Sequence, residues 1–236
     1  MKYKALWLLC AAALASLSAA ETLAKGVEKK QFDRLGKERT YYLYTPPALE
    51  GERPLLLLLH GSGRTGLSLV EKWRRLAKKQ GIILVAPDSA KTQMWHPETD
   101  GADFLRDVVE RVADGLPVDR QRIYLFGHSA GASFALQLCL MESEYYAAVA
   151  THAGFLQVAA HPLAKRARRK IPVAMWVGTE DWYVPLNVAR QTLGVLVEAD
   201  LPADLTEIDG HTHWYYDAAP RINREVWDFL QDKALK

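Results

Sequence analysis

From position 54 onward, short unbroken apolar runs separate longer segments in which apolar residues recur at helical spacing. The runs fall at 54–59, 82–86, 123–126, 147–150, 172–177 and 205–208. Apart from 205–208, where Thr206 and Glu207 intervene, they are continuous rather than alternating, which is how a strand buried on both faces reads. Between them the spacing predicts helices over 67–80, 102–115, 130–142, 187–199 and 220–234. Strand and helix in strict alternation predict an α/β fold, a mostly parallel sheet with helices on both faces. Ahead of this region, 27–32 and 39–45 flank Asp33-Arg34-Leu35-Gly36 and predict an opening antiparallel hairpin.

The first 20 residues follow a different pattern. Lys2 and Lys4 precede an apolar run over 5–17, and Ser18-Ala19-Ala20 closes it. A charged start, a short apolar core and a small-residue exit make a secretory signal peptide, with an uncleaved membrane anchor as the alternative. Leu9 before Cys10 argues against a lipid-modified cysteine. Residues 21–236 are then expected to be a single domain, exported to a periplasm or beyond the cell, with no membrane span after cleavage.

Of 30 basic residues against 28 acidic, two leave with the leader, so the remainder is formally neutral. Nothing in that balance suggests a nucleic-acid partner. Cys139, the one cysteine outside the leader, sits among Leu136, Leu138 and Leu140 and reads as a small buried apolar residue. The dense basic cluster Lys165, Arg166, Arg168, Arg169, Lys170 reads as a solvated helix face.

In sheets of this kind reactive groups gather in the loops after the strands' carboxyl ends. Gly127-His128-Ser129-Ala130-Gly131 follows one run and opens a helix, so small residues let the chain turn sharply and present the Ser129 hydroxyl. A serine hydroxyl needs a base within reach, and the base needs an acid to fix its tautomer. After 172–177 come Glu180 and Asp181; Asp181 is assigned as the acid, with Glu180 as runner-up. After 205–208 comes Asp209-Gly210-His211-Thr212-His213, where His213 has room to fold back toward Ser129 and His211 is the alternative base. His60-Gly61-Ser62-Gly63 follows the first run, so the Ser62 and Ala130 amides are the expected oxyanion donors. His60 and His128 are expected to pack around the turns. A metal reading of His211, His213 and Asp209 lacks further ligands in the sequence, and no cofactor or metal is expected.

With these pieces in place, the chain resembles the α/β-hydrolases of the polyhydroxybutyrate-depolymerase and feruloyl-esterase-like group. The resemblance rests on His60-Gly61, Asp103-Phe104, residues 118–124 leading into Gly127 to Gly131, Gly178 to Pro185, and Gly210 to His213. It implies the α/β-hydrolase fold, a sheet of about eight strands and ester hydrolysis. The last loop departs from the Gly-Gly-His-Thr-Trp form common in that group. Its His213-Trp214-Tyr215-Tyr216 end is similar to the esterase D-like hydrolases, in which the corresponding histidine is catalytic.

The expected substrate is a short-chain, aryl or feruloyl, or hydroxyalkanoate ester, free or linked to polysaccharide. Trp95, Trp182 and Trp214 are candidates for a substrate-binding rim, since flat apolar faces suit an aryl group or a sugar. The stretch between 150 and 172 is too short for a large lid. Two rivals share the sequence features: a serine peptidase on the same fold, and a non-catalytic glycan-binding protein that kept it. Sequence leaves the oligomeric state open.

Overall fold

The computed structural model describes residues 23–235 apart from position 48. The leader 1–20, with Cys10, lies outside them. The apolar runs and the opening hairpin form one eight-stranded sheet: β1 (Val27–Arg34), β2 (Lys37–Tyr44), β3 (Arg53–Leu59), β4 (Ile83–Pro87), β5 (Val118–His128), β6 (Ala148–His152), β7 (Val173–Gly178) and β8 (Ala203–Ile208). Their spatial order is β1-β2-β4-β3-β5-β6-β7-β8. From β3 to β8 the pairings are parallel, whereas β1 and β2 form the antiparallel edge. The chain is an α/β-hydrolase fold, as the resemblance implied; the patterning had predicted its mostly parallel sheet.

Helices α1 (Gly66–Gln80), α2 (Pro97–Asp100), α3 (Ala102–Ala113), α4 (Ala130–Met141), α5 (His161–Arg166), α6 (Leu186–Val197) and α7 (Tyr215–Leu230) complete it. Strand β3 shows why its run is unbroken. Successive side chains point to opposite faces, so Leu55, Leu57 and Leu59 enter the core shared with α3, α4 and α6. Leu56 and Leu58 enter the one shared with α1 and α7. All five are fully buried, each stabilising the fold by about 1.5–3 kcal/mol relative to exposure. Strand order reverses between β3 and β5, one side leading to β4 and the other to β6. The crevice over their carboxyl ends is where such a fold binds and reacts.

Three expectations change. Helix α7 begins at Tyr215 rather than at 220, so Pro220 lies inside it. Proline suits a helix start because it lacks an N–H. Here burial of Tyr215, Tyr216 and Ala219 offsets the hydrogen bond Pro220 cannot donate. The helix therefore starts two residues after His213. The basic cluster is not one helix face: α5 ends at Arg166, and Arg169 turns inward to donate to the carbonyls of Ser143 (2.8 Å) and Ala147 (3.0 Å). Helices α2 and α5, four and six residues long, are too short to leave a periodic signature. No helix among the described residues is long and apolar enough to cross a membrane. Cys139 is free and buried.

Candidate active site

Ser129 stands at the turn between β5 and α4 with φ 55° and ψ −119°, a conformation rarely adopted outside glycine. Holding it costs on the order of 1–3 kcal/mol, and the close packing of the turn enforces it. A Cβ at Gly127 would lie 2.3 Å from the Gly131 carbonyl oxygen, and one at Gly131 would lie 2.1 Å from that of Leu59. Strand, helix and the end of β3 thus meet backbone to backbone. The Ser129 amide donates to the His152 carbonyl (3.0 Å), and its own carbonyl accepts from Ala132 (2.9 Å) and Ser133 (3.0 Å).

The loops after β7 and β8 reach this turn. His213 Nε2 lies 2.8 Å from Ser129 Oγ, and His213 Nδ1 lies 2.8 Å from Asp181 Oδ2 and 3.0 Å from Oδ1. An ionised carboxylate only accepts, so Nδ1 carries the imidazole proton and Nε2 is free to accept the serine hydroxyl. Asp181 Oδ1 also accepts the amides of Tyr183 (2.9 Å) and Val184 (2.8 Å). Burial alone would raise the Asp181 pKa. The hydrogen bonds from His213 and the Val184 and Tyr183 amides, with the attraction of His213, outweigh it and hold the carboxyl below its usual range. Glu180 is exposed, its amide donating to the His211 carbonyl (3.0 Å), so Asp181 is the one of the two carboxylates that meets His213.

His211 belongs to another set of contacts. Its Nε2 lies 3.0 Å from His152 Nε2, and His152 Nδ1 lies 3.2 Å from His128 Nδ1. His152 and His128 are buried, and the sequence reading missed His152 altogether. Burial, with repulsion from His213, pushes the His128 pKa down to about 3. Burial and repulsion from the neighbouring imidazoles hold His152 well below the usual histidine value, and burial lowers His211. His60 packs likewise: it accepts the Ser89 amide at Nε2 (3.1 Å), so Nδ1–H faces the Gly61 carbonyl (2.9 Å).

Two cavities open on Ser129 and His213. The first, about 500 Å³, is walled by Arg64, Trp182, Tyr183, Thr212, Trp214 and Tyr216. The second, about 390 Å³, is walled by Trp95, Ala130, Ser133, Phe134, Gln137 and Phe155. Ser62 borders both. Among the described residues, neither the Ser62 nor the Ala130 amide donates a backbone hydrogen bond, leaving both available to a ligand. Trp182 (89% exposed) and Trp214 (45%) border the first cavity. Trp95 does not join them: it is 7% exposed, stacks on Phe134 at 5.7 Å and donates its indole N–H to the His60 carbonyl (2.9 Å). Its ring packs against Phe134 and lines the second cavity. Arg64, Tyr183, Tyr216 and Phe155 were not anticipated. Among the described residues, no group of three or more His, Cys, Asp or Glu could hold a metal ion.

The profile of the phospholipase/carboxylesterase family matches residues 100–219, slightly more than half the chain. NocK of Nocardia uniformis subsp. tsuyamanensis, which is named as an esterase, is 31% identical over 166 residues, covering 64% of this chain and 48% of its own. The S-formylglutathione hydrolase of Bos taurus is 29% identical over 143 residues, 48% of this chain and 50% of its own. This chain thus spans about half the length of these two relatives. Among solved structures, an S-formylglutathione hydrolase from Agrobacterium tumefaciens superposes with a TM-score of 0.69 at 19% identity, over 90% of this chain and 98% of its own. At that identity the likeness is one of fold.

Proposed function

Because the chain belongs to the phospholipase/carboxylesterase family, we propose that it hydrolyses carboxylic esters through an acyl-enzyme on Ser129. The observation that carries this reading is the unbroken relay from Ser129 Oγ through His213 to Asp181, with 2.8 Å at each contact. Ser129 Oγ attacks the ester carbonyl carbon while its proton passes to His213 Nε2, and Asp181 stabilises the imidazolium. The Ser62 and Ala130 amides donate to the oxyanion. As the C–O bond breaks, the proton on Nε2 goes to the departing alcohol. Water then gives a proton to His213 and attacks the acyl carbon; the acid leaves and Ser129 regains its hydrogen. The steps call for no metal or cofactor.

Residues 1–20 act as a cleaved leader, and residues 21–236 work as a single domain outside the cytoplasm. The aromatic walls of both cavities suit short or aryl esters, free or attached to a polysaccharide. Between β6 and β7 the only helix of regular α form is six residues long, so a large cover, as a long-chain lipase needs, is not available there. A fluorophosphonate probe tests the reading: the protein should be labelled at Ser129, and Ser129→Ala should lose both labelling and ester turnover while remaining folded. Turnover retained by that variant would overturn the assignment.

A further inference from the structure

The two cavities differ in charge, and that difference specifies more of the substrate than the relay does. The second is walled without any Asp, Glu, Lys or Arg. The first is also without a carboxylate, but holds one full cation, Arg64. Its guanidinium carbon sits 5.0 Å from the Trp214 ring centre and 5.1 Å from that of Tyr216, and these rings are themselves 5.0 Å apart. Stacking holds the planar group in place through its faces and leaves the N–H edge for hydrogen bonding. Half of the arginines among the described residues form an ion pair with a carboxylate, such as Arg39 with Asp100, whereas the contacts that place Arg64 are these two rings.

Position relative to the relay decides which half of an ester each cavity takes. His213 Nε2 must hand its proton to the departing oxygen, so the alcohol half lies against the His213 loop. Thr212, His213 and Trp214 of that loop form a wall of the first cavity. The second runs along α4 from Ala130 to Gln137, beside the proposed oxyanion donor, where the acyl half continues. Resting on the esterase reading above, we propose that Arg64 selects esters whose alcohol half is aromatic and carries a carboxylate, with an uncharged acyl half. The ring enters among Trp182, Tyr183 and Trp214, and its carboxylate takes paired hydrogen bonds from the guanidinium edge, a fit that a lysine ammonium cannot reproduce.

Matched acetates of 4-hydroxybenzoate and 4-hydroxybenzamide test this, because they differ in charge but hardly in size. The ratio of their kcat/KM values, compared between variants, cancels their different chemical reactivity. Arg64→Gln should lower the anionic-to-neutral ratio about tenfold relative to the native chain, Arg64→Glu further, and Arg64→Lys should keep only part of the preference. A 4-nitrophenyl monoester of glutarate, with its carboxylate on the acyl half, should gain nothing from Arg64. Equal ratios in the native chain and Arg64→Gln, with both acetates turned over, would overturn the Arg64 assignment and leave the esterase reading standing. Titration of 4-acetoxybenzoate into Ser129→Ala by calorimetry reads the contact without chemistry: heat of binding that disappears in Ser129→Ala/Arg64→Gln supports it. If no ester is turned over but that binding persists, the esterase reading fails and Arg64 remains an anion site; loss of both would end both.

Discussion

His213 and His211 leave one loop two residues apart and meet different neighbours. His213 faces a buried carboxylate at one nitrogen and the Ser129 hydroxyl at the other. His211 faces His152, which faces His128, and among the described residues no carboxylate hydrogen-bonds to any of these three rings. A neutral imidazole has one donor and one acceptor, so the three-ring chain is satisfied when each ring donates in one direction. Protonating a ring in it removes an acceptor and places a cation among buried neighbours, which is why burial pushes these groups down. His213 differs in that a carboxylate, Asp181, faces its ring. The difference between a base and a packed ring is thus made by the partner, since residue type and loop are shared.

Exchanging the two rings for asparagine is the most severe test of that comparison. His213→Asn should cost about 10⁵-fold or more in kcat, the scale on which loss of the base acts in serine hydrolases. His211→Asn should stay within about tenfold, as expected of a residue that acts through packing. Rate measurements on an activated ester such as 4-nitrophenyl acetate settle it; comparable losses in both variants would mean that the proton is shared between the rings.

The acid offers a second, smaller contrast. Asp181→Asn preserves shape but supplies an amide that can donate to His213, so the wrong tautomer is favoured and kcat should fall about 10⁴-fold. Glu180→Gln, changing an exposed neighbour, should leave kcat within a few-fold of native. The Asp181→Asn loss should fall on kcat with KM little changed; a loss confined to KM would make Asp181 a binding residue.

Much of this site could be read from the chain because its chemistry constrains residue types at strand ends. The turn around Ser129 demands small neighbours, and a serine nucleophile would demand an acid and a base from other loops; the residues named on those grounds are brought together, Asp181 against His213 and His213 against Ser129. Contacts set by sheet register were harder to read. His152 closes an ordinary apolar run, and only the parallel pairing of β5 with β6, which aligns His128 with His152, reveals it as a ring partner. Arg64 in sequence is one surface arginine among many, and its value comes from two rings that follow His213 some 150 residues later. Trp95 was expected to rim the same cleft as Trp182 and Trp214; an available carbonyl and the Phe134 face hold it instead in the wall of the second cavity. The start of α7 was hidden by Pro220, whose local preference yielded to the burial of two tyrosines.

The smallest expected effect concerns stability rather than rate, and it reads the three-ring chain directly. With a folded pKa of about 3, His128 stays neutral where the same residue in the unfolded chain, at about 6.5, takes a proton. Between those values the unfolded state binds more protons, so stability is highest above pH 6.5 and falls as the pH drops. At pH 5 the loss from His128 alone is about 2 kcal/mol, and His152, shifted the same way, adds to it. Asp181 is shifted down as well, but its contribution is lost only below the ordinary carboxylate range, outside this window. Urea unfolding at pH 7.5 and at pH 5 should therefore show a clear drop in the native chain. His152→Asn removes one titrating ring and keeps a polar side chain beside His128, so its drop should be smaller than the native chain's even if it is less stable at both pH values. An unchanged drop would mean that His152 takes up its proton in the folded state much as it does unfolded. The rings from His211 inward would then be wet and chargeable, and the distinction between the two halves of the loop would rest on Asp181 alone.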